Sequence, residues 1–262
     1  MGRFRWLEMG DGSEPTGAGR PPSGAPDLDE GACLAKADEH FRAGRYESAL
    51  QWYSRALRFV IGLEEAWVGQ VRCLLELEEH VEANIWADRA LERFPESPDL
   101  LAAKAAALRH TRGIARAMEY SDASLGVKGK PVGAYPWLVR GDLLLNGGSS
   151  RQSAERCFAK ALELGGADWY THFLVGSALM ARGLHEQARQ RLSAATGMER
   201  RNAMLYCTLG ACYEQLGDVG AAIMTYSRAL EADSKCKQAK TRLAALSRVG
   251  WLRRLVSRIR RG

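Results

Sequence analysis

The chain has 262 residues, of which 46% are hydrophobic and 26% charged, the composition of an ordinary soluble protein. No apolar run approaches the roughly 20 residues of a membrane span. Six scattered cysteines, with no C-x-x-C pair, argue against a zinc ribbon and against a thioredoxin-type motif. We therefore expect reduced cysteines in a cytoplasmic protein, with peripheral attachment to a membrane as the alternative location.

The net charge of +6 is distributed unevenly along the chain. Residues 1–31 carry three Arg and six Asp or Glu, whereas residues 248–262 carry six Arg and no acid. The Gly-, Pro- and acid-rich stretch 1–31 cannot bury enough apolar surface to offset its ordering entropy, which predicts a flexible leader. The basic character belongs mainly to the C-terminal tail, 248–262.

From about residue 30 the sequence repeats itself. AGRYESALQWYSRAL at 43–57 matches LGDVGAAIMTYSRAL at 216–230, with a glycine, a tyrosine and two alanines in register. The first alanine of the motif recurs at 49, 83, 117, 154, 188 and 222, so the step is 34 residues except for one of 37. Small residues seven apart on a helix let another helix approach closely, and the pattern predicts stacked helical hairpins.

These repeats resemble the tetratricopeptide repeat family, and the best copy is carried by Tyr206, Leu209, Gly210, Tyr213, Ala222, Tyr226 and Ala229. The resemblance implies an all-α, right-handed superhelical solenoid of antiparallel helical hairpins, with about six repeats and an end helix over 32–247. The one long step falls at 126–136. Pro131 and Pro136 should interrupt the helix there, and a hinge between two halves is expected.

No motif for catalysis or metal binding stands out in the sequence. The five His are dispersed, and no Ser, Cys or Asp lies in a recognisable nucleophile motif. We therefore expect a non-catalytic protein-interaction scaffold or adaptor within a larger complex, with no catalytic residue, cofactor, metal or small-molecule substrate.

The resemblance also implies a concave groove lined by one face of each first helix. Aromatic and Met side chains in repeats four to six suit recognition of a peptide or helix segment of another protein. The alternative is that some of these residues pack between adjacent repeats. A groove position also predicts that the Cys207 thiol labels readily. The predicted groove residues are Arg72, Arg109, Tyr135, Leu138, Asp142, Tyr170, Phe173, Ser177, Met180, Met204, Cys207 and Glu214.

The tail 248–262 has the pattern of an amphipathic helix, and three partners compete for it. It could dock on a protein, lie on an anionic membrane surface, or contact nucleic acid through phosphates. The nearly neutral body argues against nucleic acid. The alternative function is therefore a membrane-surface or nucleic-acid-associated regulator that acts through this tail. The predicted contact residues are Trp251, Leu252, Arg253, Arg254, Leu255, Arg258 and Ile259.

Overall fold

The computed structural model describes residues 29–147 and 151–247. Within these ranges the chain is all-α, with twelve helices, a further helical segment over 237–247, and no strand. The helices are α1 (Glu30–Arg42), α2 (Tyr46–Phe59), α3 (Glu64–Glu76), α4 (His80–Arg93), α5 (Pro98–Thr111), α6 (Ile114–Gly126), α7 (Ala134–Asn146), α8 (Arg151–Gly165), α9 (Trp169–Met180), α10 (His185–Met198), α11 (Ala203–Gln215) and α12 (Val219–Ala232).

The chain divides into unit 1, Met1–Leu143, and unit 2, Leu144–Gly262, so the division falls inside α7. The linker between α6 and α7 covers residues 127–133. Pro136 does not interrupt the helix as expected, because it lies in the first turn of α7, where its missing N–H costs no hydrogen bond. The hinge at 126–136 stays a prediction.

The alanine pattern of the sequence corresponds to buried positions on the second helix of each repeat in both units. All six first-position alanines, from Ala49 to Ala222, are fully buried. In repeat three the seventh position beyond the alanine is Ser124, whose buried hydroxyl donates to the Pro98 carbonyl at 2.9 Å. This hydrogen bond explains how a polar residue occupies a small-residue position without a desolvation penalty.

Glycines mark the points where a side chain of one helix presses on the backbone of another. A Cβ at Gly210 would lie 2.9 Å from the Tyr226 ring, and one at Gly176 would lie 2.7 Å from Cγ of Leu192. Both pairs join the two helices of one hairpin. These distances are too short for any side chain, so the hairpins of repeats five and six depend on glycine at these positions.

The turns inside the hairpins use a left-handed backbone conformation. Gly44 and Gly217 occupy the same position in repeats one and six, with φ of 73° and 77°. Glu78 occupies that position in repeat two, with φ of 61°. A residue with a Cβ is strained in this region, and Glu78 therefore marks a local cost in repeat two.

Candidate partner-binding surfaces

Arg72 of α3 lies between two aromatic rings in unit 1. Its guanidinium carbon is 4.9 Å from the Phe41 ring centroid on α1 and 4.3 Å from the Tyr135 ring centroid on α7. Cation–π contacts at these distances are attractive. α3 is the first helix of repeat two, and α7 is the first helix of repeat four. Arg72 therefore lies beside residues of α1 and α7 on one face of unit 1.

Two carboxylates lie beside Arg72 on this face. Glu76 follows Arg72 by one turn of α3 and accepts a hydrogen bond from the Tyr46 hydroxyl, and Asp99 is in the first turn of α5. Burial raises the pKa of Glu76 and of Asp99, and the charge of Arg72 offsets part of each shift. The Glu76 side chain is itself exposed to solvent, so water screens its charge in part.

The Asp99 carboxylate has no hydrogen bond or ion pair within the part of the chain that the structure describes. Its pKa is raised by burial first and by the charge of Glu64 in addition, and Arg72 is the group that lowers it. A negative charge is favoured at a helix N-terminus, which explains why Asp99 is tolerated in the first turn of α5. Its charge is nevertheless only partly compensated.

The hydroxyl of Tyr135 lies among four charged groups. Burial raises the pKa of Tyr135 to about 12, with further contributions upward from Glu76 and Asp99 and downward from Arg72 and Arg109. The side chain itself is half-buried. Tyr135 therefore offers a neutral hydroxyl, able to donate a hydrogen bond, at the centre of a charged surface.

Arg109 of α5 and Asp142 of α7 form an ion pair on the same face. Both side chains are mostly covered, with 22% and 18% of their surface exposed. The Arg109 guanidinium also contacts His110, whose ring stacks on His80 with centroids 3.8 Å apart. Arg109 is thus held by neighbours, unlike Asp99. We call the set Arg72, Glu76, Asp99, Arg109, Tyr135 and Asp142 the unit 1 polar face.

The aromatic groove residues predicted in unit 2 are covered rather than exposed. Tyr170 and Phe173 retain only 4% and 6% of their surface, and their ring centroids lie 5.6 Å apart next to Trp169. The expectation that these large side chains lie open is wrong. Leu138 of α7 is buried as well, whereas Ser177, Met180 and Met204 are half-buried.

Cys207 is also buried, with 1% of its surface exposed. The prediction that its thiol lies open to a labelling reagent is therefore wrong. The helical segment 237–247 packs beside α11 and contributes Ala239, Leu243 and Leu246 to a core that includes Cys207. Burial, together with the Cys236 thiol, raises the pKa of Cys207 to about 12. The segment occupies the place that the first helix of a further repeat would take.

Glu214 of α11 is held by the same segment. It accepts hydrogen bonds from the Arg242 guanidinium at 2.9 Å and from the Tyr226 hydroxyl at 2.6 Å. The Arg242 hydrogen bond lowers the pKa of Glu214 most, and the Tyr226 bond adds to it. Glu214 is therefore an ion-paired residue at the end of the repeat array.

The predicted tail contacts, Trp251 to Ile259, lie outside the described residues, and they stay a prediction. No group of three or more His, Cys, Asp or Glu suited to a metal ion occurs in residues 29–147 and 151–247. Within the same ranges, none of the helices combines the length and apolar character that crossing a bilayer requires.

The structure thus brings together four predicted groove residues, Arg72, Arg109, Tyr135 and Asp142, in unit 1. Glu76 shares the polar face with them but is not among the groove residues predicted from the sequence. Its spacing of four residues from Arg72 puts both on one side of α3, and that spacing was the available signal.

Antiparallel hairpins stacked through buried alanines and glycines define a helical-repeat protein. A model of the tetratricopeptide repeat family matches residues 34–98 and 173–235. Both matched regions are tetratricopeptide repeats, and the helices of the described residues fit about six repeats. Proteins of this family are generally non-catalytic scaffolds for protein interactions. No curated protein matches the chain in sequence.

Solved structures share the fold at low sequence identity. The APC/C hetero-tetramer Cut9-Hcn1 aligns with a TM-score of 0.53 and 17% identity, over 85% of this chain and 44% of that one. A tetratricopeptide-repeat protein of Thermus thermophilus gives 0.50 and 19%, over 83% and 98%. The type IV pilus biogenesis factor PilW gives 0.52 and 18%, over 82% and 98%. The chain thus spans less than half the length of the Cut9-Hcn1 chain. These likenesses confirm the predicted solenoid class.

Proposed function

We propose that the chain is a non-catalytic scaffold that binds a segment of a protein partner on the unit 1 polar face, as a subunit of a larger complex. The observation that carries the proposal is the gathering of four charged residues, Arg72, Glu76, Asp99 and Arg109, around the hydroxyl of the half-buried Tyr135. Charged groups held in unfavourable surroundings on a common face are a mark of binding sites. Arg72, Arg109 and Tyr135 are also among the groove residues predicted from the sequence.

The chemistry of the face favours a basic partner segment. Arg109 is paired with Asp142, and Arg72 is enclosed by rings, whereas the charges of Glu76 and Asp99 are only partly offset. A Lys or Arg of the partner placed between Glu76 and Asp99 would lower both carboxyl pKa values and remove the cost of holding them charged. An extended or helical segment can deliver such a side chain while it packs on the Tyr135 ring.

The comparisons support the general part of this proposal. The tetratricopeptide repeat is a family of interaction scaffolds, and one structural neighbour is described as a hetero-tetramer. The half-buried Ser177, Met180 and Met204 of unit 2 are a second, weaker candidate surface. Tyr170, Phe173 and Cys207 would contribute there only after their covering contacts open.

The test is affinity capture followed by mass spectrometry with three forms of the full chain. These are the wild type, the face variant Glu76→Gln/Asp99→Asn, and the control Glu92→Gln/Glu96→Gln. The control removes the same charge from exposed residues at the end of α4 and the turn that follows. We expect a partner that the wild type and the control retain and the face variant loses. Identical partner lists for all three forms would overturn the proposal.

A second candidate function is supported by the composition of the tail, where six Arg and no acid accompany Trp251, Leu252 and Leu255. In this proposal the chain is a regulator that attaches to an anionic surface through residues 248–262. Deletion of these residues separates the two candidates. Binding that survives the deletion supports the scaffold with its polar face, and binding that disappears supports the tail.

A further inference from the structure

Two cysteine thiols of unit 2 lie close enough to react with each other. The sulfur atoms of Cys207 and Cys236 are 3.5 Å apart, and both cysteines are free. A disulfide requires about 2.05 Å, so the sulfurs must approach by roughly 1.5 Å. Rotation of the two side chains about χ1 can supply a movement of this size without breaking the helices.

We infer that Cys207 and Cys236 form a reversible disulfide that fastens the helical segment 237–247 to α11. This modification site is independent of the unit 1 polar face. Cys207 lies in α11, and Cys236 immediately precedes the segment, since its carbonyl accepts the Lys240 N–H at 3.2 Å. A bond between them therefore joins the last hairpin to the helix that covers it.

The two thiols differ in accessibility, which sets the order of the reaction. Cys236 is half-buried, whereas Cys207 is buried. A small oxidant in solution therefore reaches Cys236 first, and Cys207 acts as the resolving thiol. Cys212, on the same helix as Cys207, instead directs its sulfur to the His185 carbonyl at 3.2 Å, and it serves as an internal comparison.

The oxidant is a small-molecule disulfide such as oxidised glutathione. The Cys236 sulfur, after loss of its proton, attacks one glutathione sulfur, and the other glutathione leaves as a thiolate that takes up the proton. Cys207 then loses its proton and attacks the Cys236 sulfur, which releases the second glutathione as a thiol. Two cysteine thiols and one oxidised glutathione thus give one protein disulfide and two reduced glutathiones. The raised pKa of Cys207 makes the second step the slow one.

The disulfide would control how firmly the end of the array is covered. The segment packs the buried Ala239 and Leu246 and the half-buried Leu243 against the core that contains Tyr206 and Cys207, and the Arg242–Glu214 ion pair adds to its attachment. These are reversible contacts. The oxidised form holds the segment in place covalently, and the reduced form lets it open and expose the apolar side of α11 to another helix.

The first measurement is intact-mass analysis and peptide mapping of the full chain after incubation with oxidised glutathione. We expect loss of two hydrogen atoms and a peptide that links positions 207 and 236. The variant Cys207→Ser should retain glutathione on Cys236 without the link, and the control Cys212→Ser should behave as wild type. A wild-type chain that retains glutathione on Cys236 and forms no link would overturn the inference.

The second measurement is hydrogen–deuterium exchange of the oxidised and reduced wild-type chain. The oxidised form should exchange more slowly across 237–247 and unfold at a higher temperature, and a reducing agent should reverse both effects. The variant Cys236→Ser, which alters the less buried thiol, should show no difference between the two conditions. A link that forms but leaves exchange across 237–247 unchanged would overturn the role of the disulfide in fastening the segment.

Discussion

The guanidinium carbon of Arg72 lies 4.3 Å from the centroid of the Tyr135 ring, although the two residues belong to repeats two and four. Contact between non-adjacent repeats is uncommon in solenoids, whose repeats mostly touch their nearest neighbours. Arg72 therefore contacts residues of α1 and α7 at the same time. Replacing it should change both the free energy of unfolding and the pKa values of the carboxyl groups on the unit 1 polar face.

The first prediction concerns this contact. Arg72→Ala removes the cation–π contacts with Phe41 and Tyr135 and should lower the free energy of unfolding by about 1 kcal/mol. It should also raise the pKa of Asp99 further, because Arg72 is the group that lowers it. Urea denaturation measures the first effect and NMR titration of the carboxyl the second. Arg93→Ala, at an exposed position of α4, is the control, and equal losses in both variants would contradict the prediction.

The second prediction concerns the two carboxylates. A carboxyl whose pKa is higher in the folded than in the unfolded state adds stability below the unfolded pKa, and this contribution is lost as the pH rises through the folded pKa. Glu76 and Asp99 both have raised pKa values, and the half-buried Asp99 should contribute most because water screens the exposed Glu76. Glu76→Gln/Asp99→Asn should therefore be more stable than wild type at pH 7, and the difference should shrink as the pH falls to about 4.

Thermal unfolding at the two pH values measures this difference. Glu92→Gln/Glu96→Gln carries the same charge change away from the polar face and should show no comparable gain at pH 7. A face variant that is less stable than wild type at pH 7 would contradict the argument. Greater stability combined with loss of the partner is the result that we expect of a binding surface.

The third prediction concerns the left-handed turn of repeat two. Glu78→Gly should raise the free energy of unfolding by about 0.5–1 kcal/mol, because the strain of a Cβ at φ of 61° exceeds the extra chain entropy of glycine. Gly217→Ala places a Cβ in the same conformation in repeat six and should have the opposite sign. Chemical denaturation of both variants measures the two changes in the free energy of unfolding. Changes of the same sign would contradict the prediction that backbone strain in this turn determines them.

The fourth prediction concerns the contact between Gly210 and the Tyr226 ring. Gly210→Ala introduces a Cβ 2.9 Å from a ring carbon and should destabilise the protein by about 1–3 kcal/mol. Gly197→Ala is the matched control, since its Cβ would meet nothing within 4 Å and alanine is the better helix former by up to about 1 kcal/mol. Equal unfolding midpoints for the two variants would rule out a close helix contact at Gly210.

The repeat architecture could be predicted from the sequence because regularly spaced small residues mark the positions where two helices pack closely. Ala49, Ala83 and Ala222 have no exposed surface, and the 34-residue step locates each of them without knowledge of the fold. The same register placed Arg72, Arg109, Tyr135 and Asp142 on corresponding helix faces. The contact of Arg72 with Tyr135 could not be predicted, since it depends on how two non-adjacent repeats pack together rather than on the pattern within one repeat.

Whether the predicted groove residues are exposed or buried could not be predicted from the sequence. Helix periodicity shows that Tyr170 and Phe173 share a face, but whether a neighbouring helix covers that face depends on packing. Cys207 illustrates the limit, because its burial depends on the helical segment 237–247, which begins 30 residues further along the chain. Local spacing contains no information on such a covering element.

The helical segment 237–247 also bears on whether copies of the chain can join end to end. Its inner side fills the surface on α11 where a seventh hairpin would otherwise stack. Its outer side carries exposed Lys237 and Lys240. A direct contact between the 237–247 segments of two copies would therefore bring like charges together instead of complementary apolar faces, which disfavours self-association through this segment.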